Sequence, residues 1–349
     1  TQANRLASKD FYVSLHTTNN KPKAMIYVTL PTTTEEKRLT YYLAMEEYVA
    51  RHMKSDDYFF MWQVTPTVIF GRNQLIQSEV NLEYCRTHNI NTFRRKSGGG
   101  CVYADKSNIM FSYITHNENV NLTFSKYIGM VVEMLRKLGV PATASGRNDI
   151  MIGDRKVSGN AFYHIPGRSI VHGTMLYDTN MQNMVGAITP SDEKLVSKGI
   201  NSVRQHITLL KDHIEMDIEA FKTFVKNDLC SREVVLDEAA MNEISRIEEE
   251  YLTPEFIYGN NPRYNIQRQG RIEGVGDFVV NIEMKNDVIK DVDIKGDYFL
   301  VGDIGQQVIA PLIDRHLTKE DLEAALPDRL DDVILNMKKA DFVGLLLNK

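Results

Sequence analysis

The chain has 349 residues but only three cysteines, Cys85, Cys101 and Cys230, and no CxxC pair. That spacing suggests neither a disulfide framework nor a zinc site, so a reducing, cytoplasmic setting is the expectation. A basic excess is also missing. The formal net charge is -5 at pH 7, which argues against a general nucleic-acid binder. No apolar run reaches the roughly 18 residues of a membrane span, so no membrane partner is expected. The N-terminal stretch lacks the basic-then-apolar order of a signal peptide. The phosphate-loop pattern GxxxxGK[ST] is absent, as are internal repeats and low-complexity segments.

What is present suits a globular protein of two domains: 43% hydrophobic and 25% charged residues over a length that supports a substantial core. Residues 1–24 are polar and read as a tail or extension. From Met25 onward, apolar alternation predicts strands at 25–30, 58–64, 67–70 and 109–114, with another at "INTFRR". Helical spacing predicts a helix over "TTTEEKRLTYYLAMEEYVARHMK", capped by threonine and opened by acidic residues. A second helix is predicted over "TFSKYIGMVVEMLRKLGVP", closed by Gly139 before Pro141. Strands follow in "DIMIGDRKVSGNAFYHI", turning at Gly153-Asp154, and in "SIVHGTMLY". An acidic helix ending at Pro254 marks a boundary. Beyond it a hairpin turning near Asn286-Asp287 and several short helices form a compact α+β module.

Four stretches carry chemistry. "RRKSGGGCVYAD" places Gly98-Gly99-Gly100 after Arg94 and Arg95. Successive glycine N–H groups form a nest for an anion, and arginine supplies a planar cationic fork. A flexible turn is the bland alternative for the glycines alone. "SGRNDIMIGDRKVSGNA" sets Lys156 inside an apolar strand, either as a hairpin surface lysine or as a cation aimed at phosphate or carboxylate. "HGTMLYD" carries His172 and Thr174; a lone strand histidine is ordinarily a satisfied core or edge residue. "SKGINSVR" from Ser197 reads by itself as a basic turn.

Together these stretches, in this order and at these separations, resemble the lipoate–protein ligases. "MWQVTPTVIFGRNQ" matches that family's upstream element, and "YGNNPRYN" and "DIKGDYF" resemble the accessory C-terminal domain of the bacterial enzymes. The resemblance covers most of the chain from Met25. It implies an α/β (α+β) architecture: a mixed-sheet catalytic domain of the biotin/lipoate ligase type over 25–250 and a smaller α+β accessory domain over 251–349.

The implied activity is ATP-dependent ligation of lipoate to a specific lysine of an acceptor domain through a lipoyl-adenylate. The acceptors would be lipoyl domains of oxoacid dehydrogenase complexes and the glycine-cleavage H protein, with ATP and lipoate as substrates and magnesium in attendance. Lys156 matches the essential lysine and would contact both substrates. Arg95, Gly100, Cys101, Val102 and Tyr103 would hold ATP. Ser97, Gly98, Gly99, His172 and Thr174 would surround lipoate. Asn108, Asn148 and Asp149 are accessory neighbours, Asp149 either orienting Lys156 or holding magnesium. Metal ligands are not identified. Val68, Phe70 and Val102 are candidate walls of an apolar acyl tunnel, with core packing the equal alternative for each.

Two departures from the family pattern stand out: Ala104-Asp105 replaces a frequent His-Asp, and Cys101 stands where small residues such as alanine are familiar. No histidine follows Cys101 in its motif to activate it, so a packing role is expected. The rival readings are a cysteine-dependent octanoyl or lipoyl transferase, a biotin–protein ligase, and a lipoate-binding protein without turnover.

Overall fold

The computed structural model describes residues 25–31, 35–53, 56–74, 76–116, 119–145, 148–188, 206–258, 266–285 and 288–347. Residues 1–24, Gly146 and the "SKGINSVR" stretch lie outside them. Fourteen strands are present among the described residues: β1 Ile26–Thr29, β2 Tyr58–Trp62, β3 Thr67–Phe70, β4 Asn91–Arg94, β5 Val102–Ala104, β6 Ile109–Thr115 and β7 Ala142–Ala144, then β8 Asp149–Ile152, β9 Arg155–Ile165, β10 Arg168–Met175, β11 Arg232–Val235, β12 Ile266–Ile272, β13 Gly276–Lys285 and β14 Val288–Gly296.

Eight of these make one mixed sheet in the order β11-β1-β2-β6-β10-β9-β8-β7. β1 is parallel to both its neighbours, and the pairs from β2 to β7 are antiparallel. Helix Val120–Lys137 packs its apolar stripe, including Phe124, Val131 and Leu135, on one face, against Phe59, Phe111 and Phe162. The opposite face, with Tyr58, Phe60, Trp62 and Met110, is covered by helices Leu39–His52 and Glu238–Tyr251. Helix Val120–Lys137 is capped by the Asn119 side chain and ends before Gly139, whose φ of +79° is the left-handed conformation glycine adopts without strain. Helix Leu39–His52 begins later than the sequence suggested. Glu35 and Glu36 precede it, and its N-cap, Arg38, makes no side-chain cap.

A small sheet, β4-β3-β5, carries the glycine loop. β4 runs parallel and β5 antiparallel to β3 on its two sides, so residues 95–101 must cross the end of β3. Gly71 follows that end, and a β-carbon on it would stand 2.2 Å from the Gly99 carbonyl oxygen. The crossing therefore demands glycine at Gly71.

The third sheet, β12-β13-β14, packs with helices Lys319–Ala325 and Lys339–Leu347 around a separate core that holds Phe278, Ile282, Leu322 and Phe342. The chain up to Ile257 packs with the large unit: Tyr251 is buried in its core, Phe256 lies against it, and Arg94 Nε donates to the Ile257 carbonyl at 2.9 Å. Among the described residues no helix is long and apolar enough to cross a membrane.

Candidate active site

Register places the functional side chains in rows. Trp62, Met110, Thr174, Gly159 and Asp149 are directly opposed across β2, β6, β10, β9 and β8, so they share a face. The next row on that face is Phe60, Ser112, His172 and Ala161. Lys156 and Gly159 are three residues apart and would point to opposite faces of a regular strand. The register shift between Ile150 and Met151 leaves Val157 extra, pairing Lys156 with Met151 and Gly159 with Asp149. A bulge re-aims a side chain in this way. Lys156 thereby joins Asp149, its Nζ lying 2.8 Å from Oδ1. A β-carbon at Gly159 would be 2.6 Å from that Nζ, so the glycine leaves room for the ammonium.

Two cavities meet at Lys156. The larger, about 650 Å³, is lined by Tyr84, Val102, Tyr103, Leu176, Met184 and Ile188, with Glu79, Asp277 and Asp297 at its edge. The smaller, about 80 Å³, is walled by Leu43, Trp62, Ile69, Met110, His172 and Phe299. Gly100, Cys101, Val102, Lys156, Gly159 and Thr174 border both. Lys156 is the one cationic side chain lining the larger cavity among the described residues.

The three cations of "RRK" are directed elsewhere. Arg94 lies over the Phe70 ring and donates through NH1 to the carbonyls of Gly71, Arg72 and Gln74. Arg95 is buried and spends its guanidinium on Ser97 Oγ (2.9 Å) and the carbonyls of Ile69, Gly98 and Gly100 (3.2, 2.7 and 2.8 Å). Desolvation pulls both guanidinium groups down to about 10. Lys96 turns to Glu47 at 2.8 Å and Glu250 at 2.7 Å. Arg95 thus braces the loop from beneath; it borders the smaller cavity only.

The glycines are filled from an unexpected side. The Tyr298 carbonyl accepts the Gly99 N–H at 3.1 Å. A β-carbon at Gly98 would meet that oxygen at 2.3 Å, and one at Gly99 the Phe299 ring at 3.0 Å. Gly99, at φ +85°, also takes the left-handed conformation. Phe299 stacks on Phe162 with centroids 5.5 Å apart and belongs to the core of the large unit. The Tyr298 hydroxyl, by contrast, donates to Ile294 within its own module.

Behind the loop, Ser97 is fully buried and borders neither cavity. Its Oγ is 2.7 Å from His172 Nε2, and His172 Nδ1 is 2.9 Å from Glu46 Oε2. Thr174 Oγ1 donates to Met110 Sδ at 3.2 Å. Asn148 exchanges hydrogen bonds with Asn160, each amide donating to the other's main-chain carbonyl at 3.0 Å. Asn108 stands apart: it donates to Thr179 at 2.8 Å and borders neither cavity. Ala104, at the substituted position, is fully buried, and its neighbour Asp105 accepts from Ser107 N–H and O–H, closing the β5–β6 turn. Val68 and Phe70 are not tunnel walls. They alternate with Ile69 along β3 and face the core formed with Ile76, Cys85 and Tyr103, whereas Ile69 faces the smaller cavity. Burial pushes the Cys101 thiol upward, opposite to the lowered value of an activated nucleophile.

Sequence reasoning gave no site role to Glu46, Leu43 or Phe299, and named Gly159 only as part of the Lys156 stretch. Glu46 carried a signal, a carboxylate on the apolar stripe that Leu39 and Leu43 begin. Phe299 ends the "DIKGDYF" stretch that resembles the family, but nothing local placed it at the site, because its neighbours come from a distant part of the chain.

The chain matches the family model for the lipoyl protein ligase A/B catalytic domain over residues 39–230 and that for the bacterial lipoate protein ligase C-terminus over 261–346. It is 34% identical to lipoate–protein ligase 1 of Staphylococcus aureus over 75% of this chain and 82% of that protein. Against the Bacillus subtilis lipoate-protein ligase LplJ the identity is 34%, covering 87% and 95%. Among solved structures, P. falciparum LipL1 in complex with lipoate superposes with a TM-score of 0.68 at 20% identity, covering 86% and 93%. A bi-partite lipoate protein ligase with its E2 lipoyl domain, from Thermoplasma acidophilum, gives 0.61 at 24%, covering 70% and 100%. A lipoate-protein ligase A bound with ATP gives 0.57 at 22%, covering 67% and 99%. These structures share the fold.

Proposed function

The chain belongs to the lipoate–protein ligase family and is a ligase, and from that premise we propose that it activates lipoate with ATP and passes the lipoyl group to an acceptor lysine. The observation that carries the reading is Lys156 at the junction of two cavities, a smaller one walled in part by Leu43, Trp62, Ile69, Met110 and Phe299 and a larger one. A carboxylate entering from the smaller cavity would meet there the α-phosphate of a nucleotide held in the larger. The carboxylate oxygen attacks phosphorus, the bond to the bridging oxygen breaks, and pyrophosphate leaves. Both reactants are anionic, so the catalyst must supply cationic and N–H donors rather than a strong base. Lys156 meets that need, with Asp149 orienting it. In the second step the acceptor amine attacks the acyl carbonyl, and AMP departs with the acyl–oxygen bond pair. The ammonium of Lys156 then balances charge on the leaving phosphate.

Gly100, Cys101, Val102 and Tyr103 form the nucleotide wall in this reading, and His172 and Thr174 the acyl wall. Arg95, Ser97, Gly98 and Gly99 shape the loop between them. Magnesium would enter with the nucleotide phosphates, a carboxylate of the larger cavity at most assisting. The described residues offer no group of three His, Cys, Asp or Glu side chains for a cage, and Asp149 is engaged with Lys156. The acceptor is a folded lipoyl domain of the oxoacid dehydrogenase or H-protein kind, as the solved neighbour with its E2 lipoyl domain suggests. Three free cysteines are consistent with cytoplasmic action. We divide the chain into a catalytic domain reaching Tyr258, because Tyr251, Phe256 and Ile257 pack with it, and an accessory domain from Ile266.

The test is lipoate-dependent exchange of labelled pyrophosphate into ATP. A ligase catalyses it. A cysteine-dependent transferase or a mere lipoate binder does not.

A further inference from the structure

We infer that Glu46 is a positioning residue for the glycine loop, acting through His172, Ser97 and Arg95. The inference rests on the reading of that loop as the nucleotide wall. Glu46 lies on helix Leu39–His52 and is fully buried. Its Oε1 accepts the Ser112 hydroxyl at 2.6 Å, and that hydroxyl in turn accepts Trp62 Nε1–H at 2.9 Å. Both carboxylate oxygens face His172 Nδ1, at 3.1 and 2.9 Å.

An ionised carboxylate only accepts, so Nδ1 must carry hydrogen. In the neutral ring Nε2 is then an acceptor, and the Ser97 hydroxyl donates to it at 2.7 Å. That leaves the Ser97 oxygen free to accept Arg95 Nε–H at 2.9 Å. Each donor along the chain points the same way, from Arg95 toward Glu46. The connectivity is that of a nucleophilic triad, but Ser97 borders no cavity and receives Arg95 on its oxygen. It serves as a link.

The end of the chain sets the loop. Arg95 NH2 holds the carbonyls of both Gly98 and Gly100. In a trans peptide the N–H points opposite to the C=O. Fixing the Gly98 carbonyl turns the Gly99 N–H toward Tyr298, where it is found. Fixing the Gly100 carbonyl turns the Cys101 N–H away from Arg95, at the segment bordering the larger cavity. Arg95's own partners are uncharged, so the buried carboxylate of Glu46 is the negative end of a relay whose positive end is the guanidinium. Glutamine at 46 would offer His172 a donor as readily as an acceptor. With hydrogen moved to Nε2, the Ser97 oxygen would face two donors and its own hydrogen would lose its acceptor.

Three measurements on the full chain test this. Long-range proton–nitrogen spectra of the ligand-free protein should show the His172 hydrogen on Nδ1, and Glu46→Gln should move it to Nε2. Glu46→Gln and Ser97→Ala should each raise the KM for ATP about tenfold, the effect of losing one buried hydrogen bond, while changing kcat less than threefold. The double variant should be no worse than Ser97→Ala alone, because the relay passes through Ser97. Hydrogen on Nε2 in the unaltered protein, or additive effects on the KM, overturns the inference. Should Glu46→Gln not fold, an unchanged KM for ATP in Ser97→Ala overturns it as well. If the protein proves not to use ATP, the proposed function fails, and the tautomer and the additivity of thermal midpoints still decide the relay.

Discussion

The Tyr298 carbonyl oxygen lies 2.3 Å from where a β-carbon on Gly98 would stand. The same oxygen accepts the Gly99 N–H at 3.1 Å. The glycine run therefore answers first to a backbone from the C-terminal module. Replacing Gly98 with alanine should force that backbone away, since the clash is with main chain rather than a flexible side-chain end. Overpacking of this kind costs about 1–3 kcal/mol. The expected outcome is a folded protein with a lowered melting midpoint and faster hydrogen exchange at Gly99. Unchanged exchange there would show that the contact is not held in solution.

Lys156→Ala should leave the fold intact and reduce lipoyl-adenylate formation by about 10²–10³, the usual loss for one donor at a developing charge. Gly159→Ala is the subtler companion. A β-carbon 2.6 Å from Lys156 Nζ displaces a flexible end, not a backbone. Stability should hardly change while adenylation falls with the ammonium displaced from Asp149. Near-normal adenylate synthesis by a folded Lys156→Ala variant would remove the lysine from the mechanism.

Several elements were legible in the chain as local patterns, though helix Ile218–Leu229 and strands β5, β7, β11 and β12 were not among them. The strand pair around Gly153, the helix ending at Gly139 and the hairpin of β13 and β14 all appear where spacing put them. The family was legible from motifs spread over the whole length. Orientation was not. "RRK" reads as a basic mouth, yet its three side chains turn to carbonyls and to Glu47, because a buried loop must satisfy its own backbone first. For Val68 and Phe70 the sequence left tunnel wall and core open, and the alternation along β3 gives them to the core and Ile69 to the cavity. The bulge that aims Lys156, and the arrival of Phe299 beside Phe162, depend on pairing between distant segments and leave no local trace.

Cys101 borders both cavities, and burial pushes its thiol upward. Cys101→Ala and Cys101→Ser should keep most activity. Cys101→Phe should raise the KM for ATP by crowding the loop. An acyl thioester trapped on Cys101, or loss of all activity in the alanine variant, would revive the transferase alternative.

Asp57 supplies a pH test away from the site. Burial works to raise its carboxyl, but hydrogen bonds from Thr115 and Tyr113 and the charge of Lys126 outweigh it and hold it below the usual range. A depressed folded value means the stabilisation is present above the unfolded value, about 3.9, and is lost as pH falls through the folded one. Melting midpoints measured from pH 7 to 3 should therefore fall below about pH 4. Asp57→Asn should begin lower at pH 7 and fall less steeply. Parallel curves for the two proteins would assign the acid sensitivity elsewhere.

The arm from Asp297 to Phe299 bears on how the two half-reactions share one site. The cavity walled by Phe299 is about 80 Å³, below the roughly 300–1,000 Å³ of small-molecule sites. A lipoyl chain lodged on this side would displace a wall, and Phe299 is the wall that comes from another module. Adenylation needs water excluded from a mixed anhydride. Transfer needs the same carbonyl open to a lysine on a folded partner. A cover that repositions between the steps serves both. Truncation after Tyr258 keeps Tyr251, Phe256 and Ile257 packed on the large unit. It should yield a soluble core that transfers a supplied lipoyl-adenylate but makes little of it from lipoate and ATP. Phe299→Ala in the full chain should shift the balance the same way, more mildly, because Tyr298 still reaches Gly99. Should both half-reactions fall together in the two variants, or neither change, the cover is not coupled to the chemistry.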